Sequence, residues 1–146
     1  IKNFNFASGS DSWESAFTAP GTGTATFTDN KATYSITDVG TADWNVQLKQ
    51  SGITLEQGQK YRVTFKATST EDRTIKMAML TATYGWYGGA DIALTKDVTQ
   101  DVVAEFTVND PTDANISMVV SMGIIAGLPT PASTVTLSDF SLVKVQ

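Results

Sequence analysis

The sequence contains no cysteine and no histidine among its 146 residues. Without cysteine the chain has neither a disulfide framework nor a thiolate metal site. Without histidine it has no Ser-His-Asp or Cys-His catalysis and no imidazole-bound zinc. Arginine is scarce and the net charge is −5, so a surface that follows nucleic-acid phosphates is not expected. Because the apolar runs are also too short to cross a bilayer, these absences favour binding by a non-membrane protein over catalysis.

The residues that are abundant favour β-structure. The chain has 22 threonines, 12 valines and 8 isoleucines, whose branched side chains suit a pleated sheet. Apolar and polar residues alternate with period two, most clearly over 60–69, and no stretch has helical apolar spacing. Turn signals such as Pro20-Gly21 and Gly88-Gly89 separate about ten short strands. The pattern predicts one all-β domain over residues 1–146, an antiparallel sandwich of two sheets.

Three of the predicted strands carry a mixed polar face that could contact a ligand. The residues on this face are Asn45, Gln47 and Lys49, then Lys76, Ala78 and Leu80, then Ser117, Val119 and Ser121. Amides donate and accept hydrogen bonds at once, as sugar hydroxyls do. Trp44 falls on the same face as Val46 and Leu48 but precedes the strand. Packing in the core and a position at the rim of a cleft are therefore both open. We also expect a bulge at Ser138–Asp139 in the last strand.

Aromatic residues cluster with glycines in Tyr84-Gly85-Trp86-Tyr87-Gly88-Gly89. A strand interior rarely holds so many glycines, so part of this segment should be a loop or a strand edge. A flat ring exposed there offers a large contact area to the C–H face of a pyranose at little rotamer cost. Alternation sends neighbouring rings to opposite faces, so Tyr84 or Tyr87 could anchor the loop inward instead. Trp13 is expected to close the sandwich.

An ordered set of segments covers nearly the whole chain: Asn3-Phe4-Asn5-Phe6 with Trp13, Trp44 to Leu48, Gly58 to Ala67, Arg73 to Met77, Tyr84 to Tyr87, Glu105 to Thr107, Ser121 to Gly123, and Val135 to Leu142. This set resembles carbohydrate-binding modules of the family 4/9/16/22 type. The resemblance implies a β-sandwich jelly roll with a concave binding face that holds single β-glucan chains, such as cello-oligosaccharides, amorphous cellulose or mixed-linkage glucan. It further implies a non-catalytic, secreted, monomeric module that directs an attached glycoside hydrolase to polysaccharide. No nucleic-acid or membrane partner and no catalytic cofactor are expected.

The pattern and the resemblance together give a set of predicted ligand-binding residues: Trp86, Tyr84, Tyr87, Trp44, Asn45, Gln47, Lys49, Lys76, Ser117 and Ser121. The resemblance assigns the stacking ring to Trp86 and a cationic contact to Lys76. It also implies a structural Ca²⁺ between the N-terminal segment and the last strand, with Asp139 and Asn5 as candidate ligands. Short hydroxyls at Ser117 and Ser121 leave the glycan open, so xyloglucan, mannan and xylan are alternative ligands.

Two other function classes remain open from the sequence alone. A glycoside hydrolase needs two carboxylates at a fixed separation, and Asp43, Asp91 and Glu105 are candidates, although no motif pairs them. An adhesive sandwich could dock a protein partner through the apolar segment Ile124-Ile125-Ala126-Gly127-Leu128. The first residue is Ile1 rather than Met, from which we expect either a removed leader or a module of a longer chain.

Overall fold

The computed structural model describes all 146 residues and contains ten β-strands, one turn of 3₁₀ helix and no α-helix. The strands are β1 (Glu14–Phe17), β2 (Thr22–Thr28), β3 (Lys31–Asp38), β4 (Val46–Leu55), β5 (Lys60–Ser69), β6 (Arg73–Leu80), β7 (Trp86–Leu94), β8 (Gln100–Thr107), β9 (Asp113–Ser121) and β10 (Thr134–Val145). The 3₁₀ turn, Asp43–Asn45, leads directly into β4. No helix in the structure has the length and apolar character that a membrane span requires.

The strands form two antiparallel sheets of five strands each. One sheet has the order β1-β4-β9-β6-β7, and the other has the order β2-β3-β10-β5-β8. We call them the groove sheet and the back sheet. The predicted all-β sandwich with antiparallel sheets is confirmed, and the alternation over 60–69 corresponds to β5.

The core lies between the sheets and takes one face of nearly every strand. Leu48, Met77 and Val120 of the groove sheet are fully buried against Val63 and Leu137 of the back sheet. Burial of one such side chain contributes roughly 1.5–3 kcal/mol relative to exposure, which explains why apolar residues recur at every second position.

An aromatic cluster closes one end of the sandwich. The rings of Phe65 and Phe140 stack with centroids 4.8 Å apart, and the Trp13 ring lies 4.9 Å from that of Phe140. The indole N–H of Trp13 donates to the carbonyl of Asn3, so its polar atom is satisfied. Trp13 therefore closes the core, as predicted. The predicted bulge is also present, since the β10–β5 register shifts between Ser138 and Ser141 and Asp139 has a φ of +56°.

Candidate functional site

The solvent-facing side of the groove sheet places the predicted polar residues in cross-strand rows. Gln47, Ser121 and Lys76 are paired across β4, β9 and β6. The next row holds Lys49, Val119 and Ala78, and Ser117 pairs with Leu80 one row further on. The Cβ atoms of residues paired on one face of a sheet lie about 4.5–5.5 Å apart, so these residues form a continuous surface.

The middle of this surface is a floor that taller neighbours enclose. Val119, Ala78 and Ser121 point away from the core, yet only 3%, 4% and 5% of their surface is exposed. Small side chains on a solvent-facing sheet are nearly buried only where larger side chains rise around them. The result is a groove, with a mildly apolar floor and the hydroxyl of Ser121 at one side.

Two adjoining cavities make up the groove, with volumes of about 670 Å³ and 350 Å³. Gln47, Leu80 and Tyr84 line both of them. The larger cavity is also lined by Thr18, Asp43, Trp44, Lys76, Ala78, Trp86 and Ser121. The smaller cavity is also lined by Lys49, Ser51, Gly52, Thr81, Ala82, Asn115, Ser117 and Val119. The larger cavity is therefore rich in aromatic rings, whereas the smaller one is rich in hydroxyls.

Three aromatic side chains rise at the edges of the groove. Trp44 lies on the 3₁₀ turn, Trp86 begins β7, and Tyr84 lies in the preceding loop; they are 52%, 53% and 81% exposed. All three line the same cavity, and exposed apolar rings grouped in this way mark an interaction site. The structure thus places three of the four predicted aromatic residues at the groove, and leaves Trp44 at the rim rather than in the core.

Gly89 explains how the Trp86 indole can lie close against its own strand. A Cβ atom at this position would be 2.8 Å from Cη2 of Trp86 and 3.0 Å from Cα of Ala78. The missing side chain lets the six-membered part of the indole approach the β6–β7 backbone.

The charged groups of the groove are already paired with one another. Nζ of Lys76 lies 3.3 Å from a carboxylate oxygen of Asp43 and 3.9 Å from one of Asp91. Nζ of Lys49 lies 3.5 Å from the carboxylate of Glu14. Two ammonium groups face three carboxylates, so the groove has no positive excess with which to attract an anionic ligand. Its chemistry suits a neutral, hydroxyl-bearing molecule.

Hydrogen bonds fix the strand that supplies Gln47. The phenol of Tyr34, which reaches across the core from the back sheet, donates to the backbone carbonyl of Gln47 at 3.1 Å and lies 2.8 Å from Oγ of Ser15. Burial raises the pKa of Tyr34, so the phenol stays protonated and remains a donor. Further along the groove, the hydroxyls of Ser51 and Ser117 are 2.8 Å apart.

Two predicted ligand contacts are wrong in this structure. Asn45 is only 1% exposed, and its side-chain oxygen accepts hydrogen bonds from the backbone N–H groups of Thr41 and Ala42. The ring of Tyr87 packs against the core on the opposite face of β7, and its hydroxyl donates to the Pro111 carbonyl at 2.7 Å. Burial, followed by nearby acidic residues, raises the pKa of Tyr87. Both side chains point away from the groove.

The candidate calcium ligands lie near each other but do not form a metal cluster. The N–H of Phe140, next to Asp139, donates to the Phe4 carbonyl, which brings the N-terminal segment to the bulge of β10. The side-chain oxygen of Asn5 accepts from the N–H of Ala7. The structure contains no group of three or more histidine, cysteine, aspartate or glutamate side chains that could hold a metal ion. Ca²⁺ prefers six to eight oxygens, which backbone and amide carbonyls can also supply, so a structural Ca²⁺ at Asn5 and Asp139 stays a prediction.

The candidate catalytic carboxylates fall on opposite sides of the sandwich. Asp43 and Asp91 both contact Lys76 at the groove. Glu105 lies on β8 of the back sheet, where Lys60 and Arg62 pair with it. Glu105 therefore cannot act together with the other two.

The apolar segment 124–128, the candidate docking surface for a protein partner, is only partly exposed. Ile125 is buried, while Ile124 and Leu128 are exposed.

The predicted site set did not include several groove residues. Their types are ordinary in β-proteins, and the cavities bring them into the site: Thr18, Asp43, Ser51, Gly52, Ala78, Leu80, Thr81, Ala82, Asn115 and Val119. Ala78, Leu80 and Val119 did have a signal in the sequence, because alternation puts them on the same face as Lys76 and Ser121. Thr18 and the loop residues after β6 had none.

Comparison with known proteins finds a matching family model and several similar solved structures. The family model for the carbohydrate binding domain CBM_4_9 matches residues 1–134. A solved CBM4 structure superposes with a TM-score of 0.83 at 23% identity and 99% coverage of both chains. The N-terminal cellulose-binding domain of Cellulomonas fimi β-1,4-glucanase C gives a TM-score of 0.70 at 21% identity, covering 97% of this chain and 93% of that one. The second such domain of that enzyme gives 0.72 at 19% identity, covering 100% and 94%. A search of curated proteins gave no match.

Proposed function

We propose, from the premise that this chain belongs to the carbohydrate binding domain family CBM_4_9, that its groove binds a single neutral β-glucan chain. The observation that carries the proposal is the pairing of half-exposed indoles, Trp44 and Trp86, with a nearly buried floor of small side chains. The indoles would stack on the C–H faces of glucose rings. Gln47, Ser117 and Ser121 would hydrogen-bond to hydroxyl groups.

Two observations support a neutral β-1,4-glucan as the ligand. The paired charges of Lys76 and Lys49 favour a neutral chain over an acidic one. Two of the structural neighbours are cellulose-binding domains of a β-1,4-glucanase, which favours a β-1,4-linked glucan. We expect a dissociation constant in the millimolar to micromolar range, about 4–8 kcal/mol, since stacking and hydrogen bonds must offset desolvation and lost freedom.

The biological role that follows is targeting rather than catalysis. Tethered to a glycoside hydrolase in a secreted protein, the module would raise the local concentration of the enzyme on its polysaccharide. A bound chain would be held without cleavage.

The decisive experiment is isothermal titration of the chain against a glycan panel. Cellohexaose and mixed-linkage glucan should bind, polygalacturonate should not, and no reducing sugar should be released during the titration. If xyloglucan, mannan or xylan bound more tightly, the groove would remain the proposed site and that glycan would become the proposed ligand. No heat and no retardation in affinity gels with any neutral glycan would refute the proposal.

A further inference from the structure

Asn45 follows the groove residue Trp44 in the sequence but contributes to the groove indirectly. Its side-chain oxygen accepts from the N–H groups of Thr41 and Ala42, both at 2.9 Å. Its backbone N–H donates to the Ala42 carbonyl at 3.2 Å. One buried amide thereby closes the loop that precedes β4 and sets the 3₁₀ turn that carries Trp44.

Glycines allow two other segments to close over Asn45. A Cβ atom at Gly21 would lie 2.6 Å from the Asn45 carbonyl oxygen, and one at Gly40 would lie 2.7 Å from Cβ of Asn45. Gly40 also has a φ of +79°, which a residue with a side chain rarely adopts. From the segment before β2, the N–H of Thr18 donates to the Asn45 carbonyl at 2.9 Å. Asn45 is thus enclosed on several sides.

The other side of the turn is held by the end of β9. The N–H of Gly123 donates to the Asp43 carbonyl at 2.9 Å. The buried guanidinium of Arg73 donates to the Met122 carbonyl at 2.6 Å and contacts that of Gly123 at 3.3 Å, which fixes the segment against which the turn rests. The Asp43 carboxylate then reaches Lys76 in the groove.

This arrangement matters because the Trp44 ring is half exposed and is not held by the core. Its position therefore depends on the backbone of the turn that carries it. We propose that Asn45 is the positioning residue for Trp44: it fixes the turn so that the indole stands ready at the groove edge, and it does not touch the ligand. The expected effect of Asn45 on glucan affinity rests on the proposed function. A ring that is ordered before binding loses less conformational freedom when the sugar arrives.

The test compares Asn45→Ala, which removes the acceptor, with Asn45→Asp, which keeps it. Indole ¹⁵N relaxation reports ring motion on the ps–ns timescale without any ligand. In Asn45→Ala the heteronuclear NOE of the Trp44 indole should fall while that of Trp86 stays unchanged, and Asn45→Asp should restore it. The dissociation constant for cellohexaose should rise about 5- to 10-fold in Asn45→Ala, equivalent to roughly 1–1.4 kcal/mol.

A double-mutant cycle separates positioning from general loss of stability. In a Trp44→Ala background, Asn45→Ala should cause no further loss of affinity, because the ring it positions is gone. Tyr61→Phe is the matched control: it removes a back-sheet hydroxyl that accepts from the N–H of Glu56, and it should leave affinity unchanged. If Asn45→Ala does not fold, Asn45→Ser is measured instead, since its shorter side chain cannot accept from both N–H groups.

Two results would overturn the inference: an unchanged Trp44 NOE in the variant, or an equal loss of affinity with and without Trp44. Failure of the wild type to bind any glucan would instead refute the proposed function. In that case the ligand-free relaxation data would still decide whether Asn45 orders the ring.

Discussion

The two solvent-facing surfaces of this sandwich are built by the same alternation but have different shapes. On the back sheet, Thr26, Thr33, Thr136 and Thr68 are paired in register across four strands, so this row has side chains of one height. On the groove sheet, the row of Lys49, Val119 and Ala78 has short side chains in the middle and exposed rings nearby. Neither of the two cavities lies on the back sheet.

This difference shows that polarity alone does not make a binding face. The back sheet is rich in hydroxyls and has charged groups as well, including the Lys60 and Arg62 pairs with Glu105. It has no exposed aromatic ring beside a recessed floor. The groove sheet has both, because nearly buried Ala78 and Val119 lie between Trp44 and the Tyr84–Trp86 segment. A recessed floor beside exposed rings, rather than polarity, distinguishes the two faces.

The largest expected effect comes from removing Trp86, one of the two half-exposed indoles that line the larger cavity. Trp86→Ala should weaken cellohexaose binding by about 10- to 100-fold, because the variant loses the stacking area of the indole. This loss corresponds to about 1.4–2.8 kcal/mol. The midpoint of thermal unfolding should stay nearly constant, because Trp86 is half exposed and begins an edge strand. Isothermal titration and calorimetric melting measure the two quantities.

Phe4→Ala is the matched control, because Phe4 is a comparably exposed aromatic residue, at 50%, that does not line the groove. It should leave the dissociation constant within about twofold, since it loses no stacking contact. Equal losses in the two variants would mean that exposed aromatic surface, and not the groove, governs binding.

A smaller effect is expected at Gln47, which lines both cavities. Gln47→Ala should weaken binding by about 2- to 10-fold, because one neutral hydrogen bond contributes roughly 0.5–1.5 kcal/mol. Gln59→Ala removes an exposed glutamine outside the groove and should have no effect on titration. A loss after Gln47→Ala as large as that after Trp86→Ala would show that hydrogen bonding, rather than stacking, dominates.

Ionic strength should have little influence on binding. The lysines of the groove are paired with Glu14, Asp43 and Asp91, and the proposed ligand is neutral. Raising NaCl from about 0.05 to 0.5 M screens surface charges strongly yet should change the dissociation constant for cellohexaose by less than about twofold. A steep loss of affinity with salt would indicate that an unpaired charge contacts the ligand.

Alternation predicted the sheets, and also Gln47, Lys76, Ser117 and Ser121 as residues of one face, because a regular strand has a strict period of two. The same rule failed at Trp44 and Asn45. Counting backwards from Val46 assigns Trp44 to the core face and Asn45 to the polar face, but the 3₁₀ turn rotates the chain and reverses both. At Tyr87 the aromatic cluster obscured an ordinary alternation: Trp86 faces the groove and Tyr87 faces the core. Local turns and cavity shape depend on tertiary contacts that the sequence pattern does not contain.

The smallest expected effect tests the back sheet by pH. Hydrogen bonds from Lys60 and Arg62, with N–O distances of 2.6 and 2.8 Å, hold the pKa of Glu105 below its ordinary value. A carboxylate with a lowered folded-state pKa contributes stability above its unfolded pKa of about 4.3 and loses it as the pH falls through the folded pKa. Glu105→Gln should therefore melt slightly below the wild type at pH 7, and the two melting temperatures should converge in acid. Glucan affinity should be the same for both at every pH where both are folded. If Glu105→Gln weakened binding instead, the back sheet would belong to the binding surface, and the contrast between the two faces would fail.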